Sequence, residues 1–191
     1  MSFLNKDELL AVGLKHYGTN VLISRNALFY NPGNIVIGNN VRIDAFCILS
    51  SSKEPFVLED NIHISAGTMI YGQYGFHMEP FTNISVGCKI FTQSDSFCGN
   101  YMVGSTIPSK YKNVYGSEIR IKRHSVIGSG SILLPGSIIN EGVAIGANSL
   151  VKSECNAWCI YAGSPIRFLK ERSKKLLDLE VEFIKEQEEN S

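Results

Sequence analysis

From Ile37 onward an aliphatic residue returns every six positions, at Ile37, Ile43 and Leu49. After a short insertion the pattern resumes at Leu58, Ile64 and Ile70, and then runs through Met78, Ile84 and Ile90. Beyond a longer interruption it carries Ile121, Ile127, Leu133, Ile139, Ile145 and Val151. Two positions before the aliphatic stands a small or branched residue, as at Val41, Cys47, Thr68, Thr82, Cys88, Ser125, Ser131, Ser137, Val143 and Ser149. The position after it is often glycine (Gly38, Gly128, Gly146) or polar (Asp44, Glu59, Ser65, Glu79, Ser85). Self-similarity at a fixed period marks a solenoid, and a period of six predicts a parallel β-helix.

Each hexad then forms one flat face of a prism, and three hexads close one triangular coil. The aliphatic points inward, the small residue takes the tight corner, and glycine serves the turns because it tolerates positive φ. Coils stack about 4.8 Å apart, so six or seven of them make a prism roughly 30 Å long.

The flanks break the pattern. Residues 5–16 predict a short helix, with Asn5 and Glu8 at capping-box spacing and Leu9, Leu10, Val12 and Leu14 as its apolar face. The β-helix is predicted over 21–161, with an excursion at 94–118 that leaves the prism. Loops of that length without structure of their own are usually functional or disordered. This one holds Tyr101, Tyr111, Tyr115, Lys110 and Lys112. A charged helix over 166–188, carrying Ile166, Leu169, Leu176, Leu177, Leu179, Val181, Phe183 and Ile184, is expected to cap the prism or to pack on a neighbour. The whole of 1–191 reads as a single domain.

Composition narrows the function. With 18 basic and 18 acidic residues the formal net charge is zero, so no basic field invites nucleic acid. No apolar run approaches a membrane span, and the charged N-terminal segment is unlike a signal peptide; a cytoplasmic protein is expected. Of the five cysteines, Cys47 and Cys88 fall on the small-residue register, Cys98 lies in the excursion, and Cys155 and Cys159 are not at zinc-ribbon spacing. All read as structural thiols.

The repeat resembles the left-handed β-helix of the hexapeptide acyltransferases over about residues 20–168. The residues that carry the likeness are Ile127-Gly128-Ser129-Gly130-Ser131, Leu134-Pro135-Gly136, Ile145-Gly146-Ala147-Asn148-Ser149-Leu150-Val151 and Tyr161-Ala162-Gly163-Ser164-Pro165. The left hand comes from this resemblance, since the usual crossover rule favours the right. The family's enzymes are trimers that bind acyl-coenzyme A in the groove between two prisms, so the resemblance implies a homotrimer with intersubunit active sites and acetyl-CoA or another acyl-CoA as co-substrate. Carried over by register, Ser129 and Ala147 stack one coil apart along the donor channel. Lys152 and Arg167 follow at its end, where they are implied to meet phosphates.

In the family's sugar and xenobiotic acetyltransferases a histidine leaves the prism at the start of a long loop and acts as base. Counting hexads puts Asp95 in that place, with no histidine near it in sequence. An alcohol needs its proton removed early, which suits histidine; an amine is already nucleophilic, and a carboxylate can orient it and take its proton afterwards. The chain is therefore similar to the nucleotide-amino-sugar N-acyltransferases of this fold, which act on 4-amino-4,6-dideoxyhexoses such as the anthrose precursor. Ser85, in the same coil, is expected to share the amine with Asp95. His77 and Tyr101 are candidate substrate contacts, and Tyr71, Tyr74, Phe76 and Tyr101 offer rings for stacking a pyrimidine. Products would feed O-antigen, lipopolysaccharide, capsule or glycan synthesis. The alternatives are a sugar O-acetyltransferase, with a histidine supplied by a neighbouring chain, and a non-catalytic scaffold. A three-histidine zinc site, as in γ-class carbonic anhydrases on this prism, is not expected, since His16, His63, His77 and His124 are too scattered.

Overall fold

The hexads do stack into a three-faced prism. The computed structural model describes residues 2–189, and its strands assemble into three parallel sheets, one per face. The first face stacks His16–Tyr17, Ile35–Ile37, Phe56–Leu58, Phe76–Met78, Ile119–Ile121 and Ile138–Ile139. The second stacks Leu22–Ile23, Val41–Ile43, Ile62–Ile64, Asn83–Ile84, Val126–Ile127, Ala144–Ile145 and Cys159–Ala162. The third stacks Leu28–Tyr30, Ile48–Ser50, Met69–Tyr71, Lys89–Phe91, Ile132–Leu133 and Leu150–Val151. A bridge from Ile139 to Cys155 begins the seventh coil.

Register explains the core. Ile37 pairs with Leu58, Leu58 with Met78, Met78 with Ile121, and Ile121 with Ile139, so one side chain per coil falls in a single inward column. All fifteen aliphatics of the repeat are at most 3% exposed. Burying each such side chain is worth about 1.5–3 kcal/mol. Phe56 and Phe76 add a tilted ring pair with centroids 5.1 Å apart. The small residues are buried at the corners and their polar atoms are satisfied there. Ser131 Oγ donates to the Gly146 carbonyl at 3.0 Å, Ser149 Oγ to the same carbonyl at 2.7 Å, and Cys47 Sγ to the Ser65 carbonyl at 3.2 Å.

The glycines after the aliphatics have a different reason from the one expected. Gly128 and Gly146 are not at positive φ. Each lies where a Cβ would collide with the next coil, at 2.6 Å from the Ala147 nitrogen and 2.8 Å from the Ala162 Cβ respectively. The left-handed corners belong to other residues, among them Gly67, Gly87 and Gly130 and the non-glycines Asn40, Asn61, Phe81 and His124.

The flanks correct four boundaries. Helix α1 spans only Lys6–Ala11; its capping box forms, with Glu8 N–H donating to Asn5 Oδ1 at 2.9 Å and Asn5 N–H to Glu8 Oε2 at 2.8 Å. Gly13, at φ +76°, turns the chain away, so His16–Tyr17 is the first strand and the coils start earlier than 21. The excursion does not leave the prism bare, because Gln93–Asp95 and Val114–Gly116 pair as an antiparallel hairpin at its base. The closing helix α2 spans Leu176–Glu189. The segment expected to open it, Arg167–Glu171, is a strand folded back antiparallel on Cys159–Ala162. The Gly163-Ser164-Pro165 turn reverses the chain, and the exposed edge of the last strand offers unpaired backbone groups that outcompete a new helix. Helix α2 lies along a corner of the prism. Its Glu180 pairs with Arg123 and, at 2.8 Å, with His124, and its Phe183 meets the Phe81 ring edge-on at 6.0 Å.

Candidate active site

Asp95 closes the outgoing arm of the hairpin, opposite Val114. Its carboxylate Oδ2 accepts the Gly104 N–H at 3.1 Å, and the carbonyl of the same glycine accepts from Lys112 Nζ at 3.0 Å. The two peptide groups that flank Gly104 are thus each held by a side chain, one by Asp95 and the other by Lys112. Asp95 faces a cavity of about 360 Å³ lined also by Tyr71, Gln73, Phe91, Gln93, Lys112 and Val114. Tyr71 and Phe91, on successive coils, stack at 5.6 Å to form one wall. Gln73 donates through Nε2 to Ser50 Oγ at 3.0 Å, and its buried Oε1 accepts nothing among the described residues. Among the described residues no histidine lines the cavity.

Ser85 shares a coil with Asp95 but not this cavity. It stands at the corner before Lys89–Phe91, whereas Asp95 follows that strand. Its backbone N–H donates to Ile127 O, just as Gly128 donates to Ile145 O and Gly146 to Tyr161 O, so Ser85, Gly128 and Gly146 form one column down the prism edge. Ser129 and Ala147 form the adjacent column, tied by Asn148 N–H to Ser129 O at 2.8 Å. Both are exposed, and their own N–H groups donate to no acceptor among the described residues. An edge of small side chains with open peptide donors suits an extended amide-bearing chain such as pantetheine. Arg167 pairs with Ala162 at the foot of this edge. Lys152 follows Leu150–Val151, the last strand of the third face, and Ile166, the residue before Arg167, donates its N–H to the Leu150 carbonyl at 3.0 Å.

The structure separates the remaining candidates from the cavity. His77 lies on the outside of the first face and contacts Glu59 Oε1 at 2.5 Å. Tyr101 is half exposed and lines neither this cavity nor the one beside it. Phe76 is fully buried and unavailable for stacking. His63 bonds Asp44 at 2.8 Å and His124 bonds Glu180, so these histidines serve structural pairs. No group of three metal-binding side chains occurs among the described residues. Sequence reasoning missed Gln73 and Gln93 altogether. Gln73 and Gln93 follow Tyr71 and Phe91 off the same corner, a spacing of twenty that the coil length sets.

A repeated-coil prism with a cavity at a loop mouth and an open edge of small residues defines a hexapeptide-repeat acyltransferase. No family model matches the chain. It is 42% identical over 183 residues to the dTDP-4-amino-4,6-dideoxy-D-glucose acyltransferase of Escherichia coli, covering 96% of this chain and 95% of that one. Its fold matches AntD, an N-acyltransferase from Bacillus cereus solved with dTDP and 3-hydroxybutyryl-CoA, with a TM-score of 0.93 and 46% identity over 100% and 99% of the two chains. A serine-substituted AntD, solved with dTDP-4-amino-4,6-dideoxyglucose and Coenzyme A, matches with a TM-score of 0.93 and 45% identity over 97% and 98%. The chain belongs to the left-handed β-helix acyltransferases, within the group of nucleotide-amino-sugar N-acyltransferases.

Proposed function

We propose that this protein transfers an acyl group from coenzyme A to the amino group of a dTDP-linked 4-amino-4,6-dideoxyhexose. The observation that carries the reading is the carboxylate of Asp95, set in a cavity without histidine at the mouth of the excursion. A hydroxyl acceptor would lack the near-neutral histidine that suits early removal of its proton, whereas an amine attacks through its own lone pair and leaves Asp95 only the later proton to take. The relatives point the same way, since those solved carry a dTDP nucleotide or amino sugar together with a coenzyme A species.

The thioester supplies the activated acyl group: attack of the amine on its carbonyl carbon forms the C–N bond, the C–S bond breaks, and coenzyme A leaves as a thiolate that is protonated to the free thiol. The protein supplies the rest. Asp95 orients the amine and takes its proton after attack, held in place by the Gly104 N–H. The edge bearing Ser129 and Ala147 binds the pantetheine arm through backbone donors, and Arg167 at its foot meets a phosphate. Holding both substrates in one orientation provides much of the rate.

The active unit in this reading is a homotrimer with its sites between subunits. Ser85 and Asp95 sit at opposite ends of one strand, so a neighbouring prism against the third face brings a Ser85 edge toward an Asp95 cavity. The excursion also presents Phe97, 90% exposed, with Tyr101, Met102 and Val103, an apolar surface suited to burial against another copy. His77, Tyr101 and Lys152, which do not line the cavity of one protomer, contribute through such a neighbour. The reaction belongs in the cytoplasm, where the products feed surface polysaccharide, including O-antigen and lipopolysaccharide. The test is release of free coenzyme A thiol from acetyl-CoA and from 3-hydroxybutyryl-CoA, with the dTDP-amino sugar and its 4-hydroxy counterpart as acceptors. Release with the amino sugar alone is expected. Release with the hydroxy sugar alone would overturn the reading, and the preferred thioester identifies the acyl group.

A further inference from the structure

Beside the cavity that holds Asp95 lies a second one of about 430 Å³, lined by Tyr74, Gln93, Ser109, Lys112, Asn113 and Val114. The two cavities share Gln93, Lys112 and Val114. Among the described residues Lys112 is the only basic one that lines either of them. Its ammonium is half-buried and donates to the Gly104 carbonyl at 3.0 Å. An ammonium has three donors, so two remain, and no carboxylate pairs with it among the described residues. A half-buried cation with unused donors, standing where two cavities meet, calls for an anion.

Its placement suits one anion in particular. Lys112 lies two residues before the returning arm Val114–Gly116, and Asp95 faces Val114 across the hairpin. Two residues of extended chain span about 7 Å, on the scale of one pyranose ring. In a 4-amino sugar linked to a nucleotide through C1, the amine and the diphosphate leave from opposite sides of that ring. An amine at Asp95 therefore directs the diphosphate to Lys112 and the base onward into the second cavity. There the Tyr74 ring, packed against Gly116, is 40% exposed.

We propose that Lys112 is the diphosphate contact of the nucleotide-sugar substrate and divides the site into a sugar subsite at Asp95 and a nucleoside subsite at Tyr74. This rests on the nucleotide-amino-sugar reading above. It adds a specific division of labour: the excursion binds the acceptor nucleotide, and the coil edge binds the donor.

Calorimetry with dTDP alone, followed by steady-state kinetics, tests it. Lys112→Met keeps an unbranched side chain one atom shorter and removes the charge. It is expected to weaken dTDP binding by about 10- to 100-fold, the scale of losing a charge-assisted hydrogen bond. KM for the amino sugar should rise while kcat and coenzyme A affinity hold. The wild type should lose dTDP affinity as salt rises, and the variant should lose less of it. Lys112→Arg, which keeps the charge, should restore most of the binding. If Lys112→Met disturbs the Gly104 clamp and unfolds the loop, Lys112→Arg alone decides, since near-wild-type binding by it supports the charge and a loss equal to that of methionine overturns it. A folded Lys112→Met that binds dTDP as the wild type does also overturns the inference and leaves the proposed reaction standing. A wild type that neither binds dTDP nor acylates the amino sugar removes both.

Discussion

The coils and the excursion solve opposite problems with the same chain. In the coils every inward position repeats, and the aliphatics are sealed to within 3% of full burial. The excursion between Asp95 and Val114 repeats nothing and leaves Phe97 90% exposed. Hydrogen bonds follow the same division. The coils bond to one another along parallel ladders, whereas the excursion is held by one short hairpin, by the clamp of Asp95 and Lys112 on Gly104 and by single backbone bonds such as Met102 N–H to Tyr111 O at 3.0 Å. Rigidity thus comes from repetition, and the chemistry sits where repetition is interrupted, on a loop carried by a stiff scaffold.

Five experiments break or sharpen that comparison. Ile127→Asp places an unpaired carboxylate inside the prism, a cost of several kcal/mol against a total stability of about 5–15 kcal/mol. Insoluble or unfolded protein is expected, and a normal melting temperature would show that the inward column is not the source of stability. Ala147→Trp fills the open edge of the coils and should abolish coenzyme A binding by calorimetry while the size measured by light scattering stays unchanged. Unaltered affinity would move the donor to another surface.

Asp95→Asn acts on the other region. It keeps size and hydrogen bonding and removes the base, so turnover should fall roughly 10²–10⁴-fold, with coenzyme A affinity barely changed. Wild-type turnover would make Asp95 a turn residue only.

Thiol chemistry reads the two regions without mutation. Burial pushes the Cys155 thiol up to about 11 and raises those of Cys47 and Cys88 as well, whereas the Ser96 hydroxyl beside Cys98 lowers the excursion's thiol. The thiolate is the reactive form. At pH 8 a thiol near 11 holds about a hundredfold less thiolate than an ordinary one. Dithionitrobenzoate should therefore label Cys98 first and the three buried coil cysteines, Cys47, Cys88 and Cys155, only on unfolding; fast labelling of Cys155 would mean the coils open readily. The smallest effect is expected from Ser85→Ala, about tenfold in turnover, the equivalent of about 1.4 kcal/mol, at the upper end for a neutral hydrogen bond. A loss as large as that of Asp95→Asn would promote Ser85 to a central role.

How much of this was legible depended on whether a residue's neighbours repeat. Ile127 announces its burial because Ile121, Leu133 and Ile139 share its phase, and a coil of three hexads sets the stacking of Ser129 on Ala147. Asp95 was reached by counting hexads to the point where the count fails. The aromatic candidates were harder. Phe76 and Tyr71 look alike in sequence, yet Phe76 turns inward against Phe56 and Tyr71 turns outward against Phe91. Gln73 and Lys112 were invisible as a pair, because the hairpin that brings them to one cavity joins segments with no shared period. The strand at Arg167–Glu171 was read as helix for a related reason: its apolar residues fit either element, and only the unpaired edge beside it decides.

That last strand has a consequence for the molecule as a material. A structure built by translation is a template at each end, and in principle every coil can seed the next, from the same chain or from another. Arg167–Glu171 runs against the direction of the six parallel strands that precede Cys159–Ala162 on the same face. It presents the wrong polarity to an incoming parallel coil. At the opposite end Leu4 N–H caps the Ile23 carbonyl, and Leu9 of α1 closes over the core. The two ends act like chain terminators in a polymerisation, and the prism stops at a definite length in place of growing into a fibre.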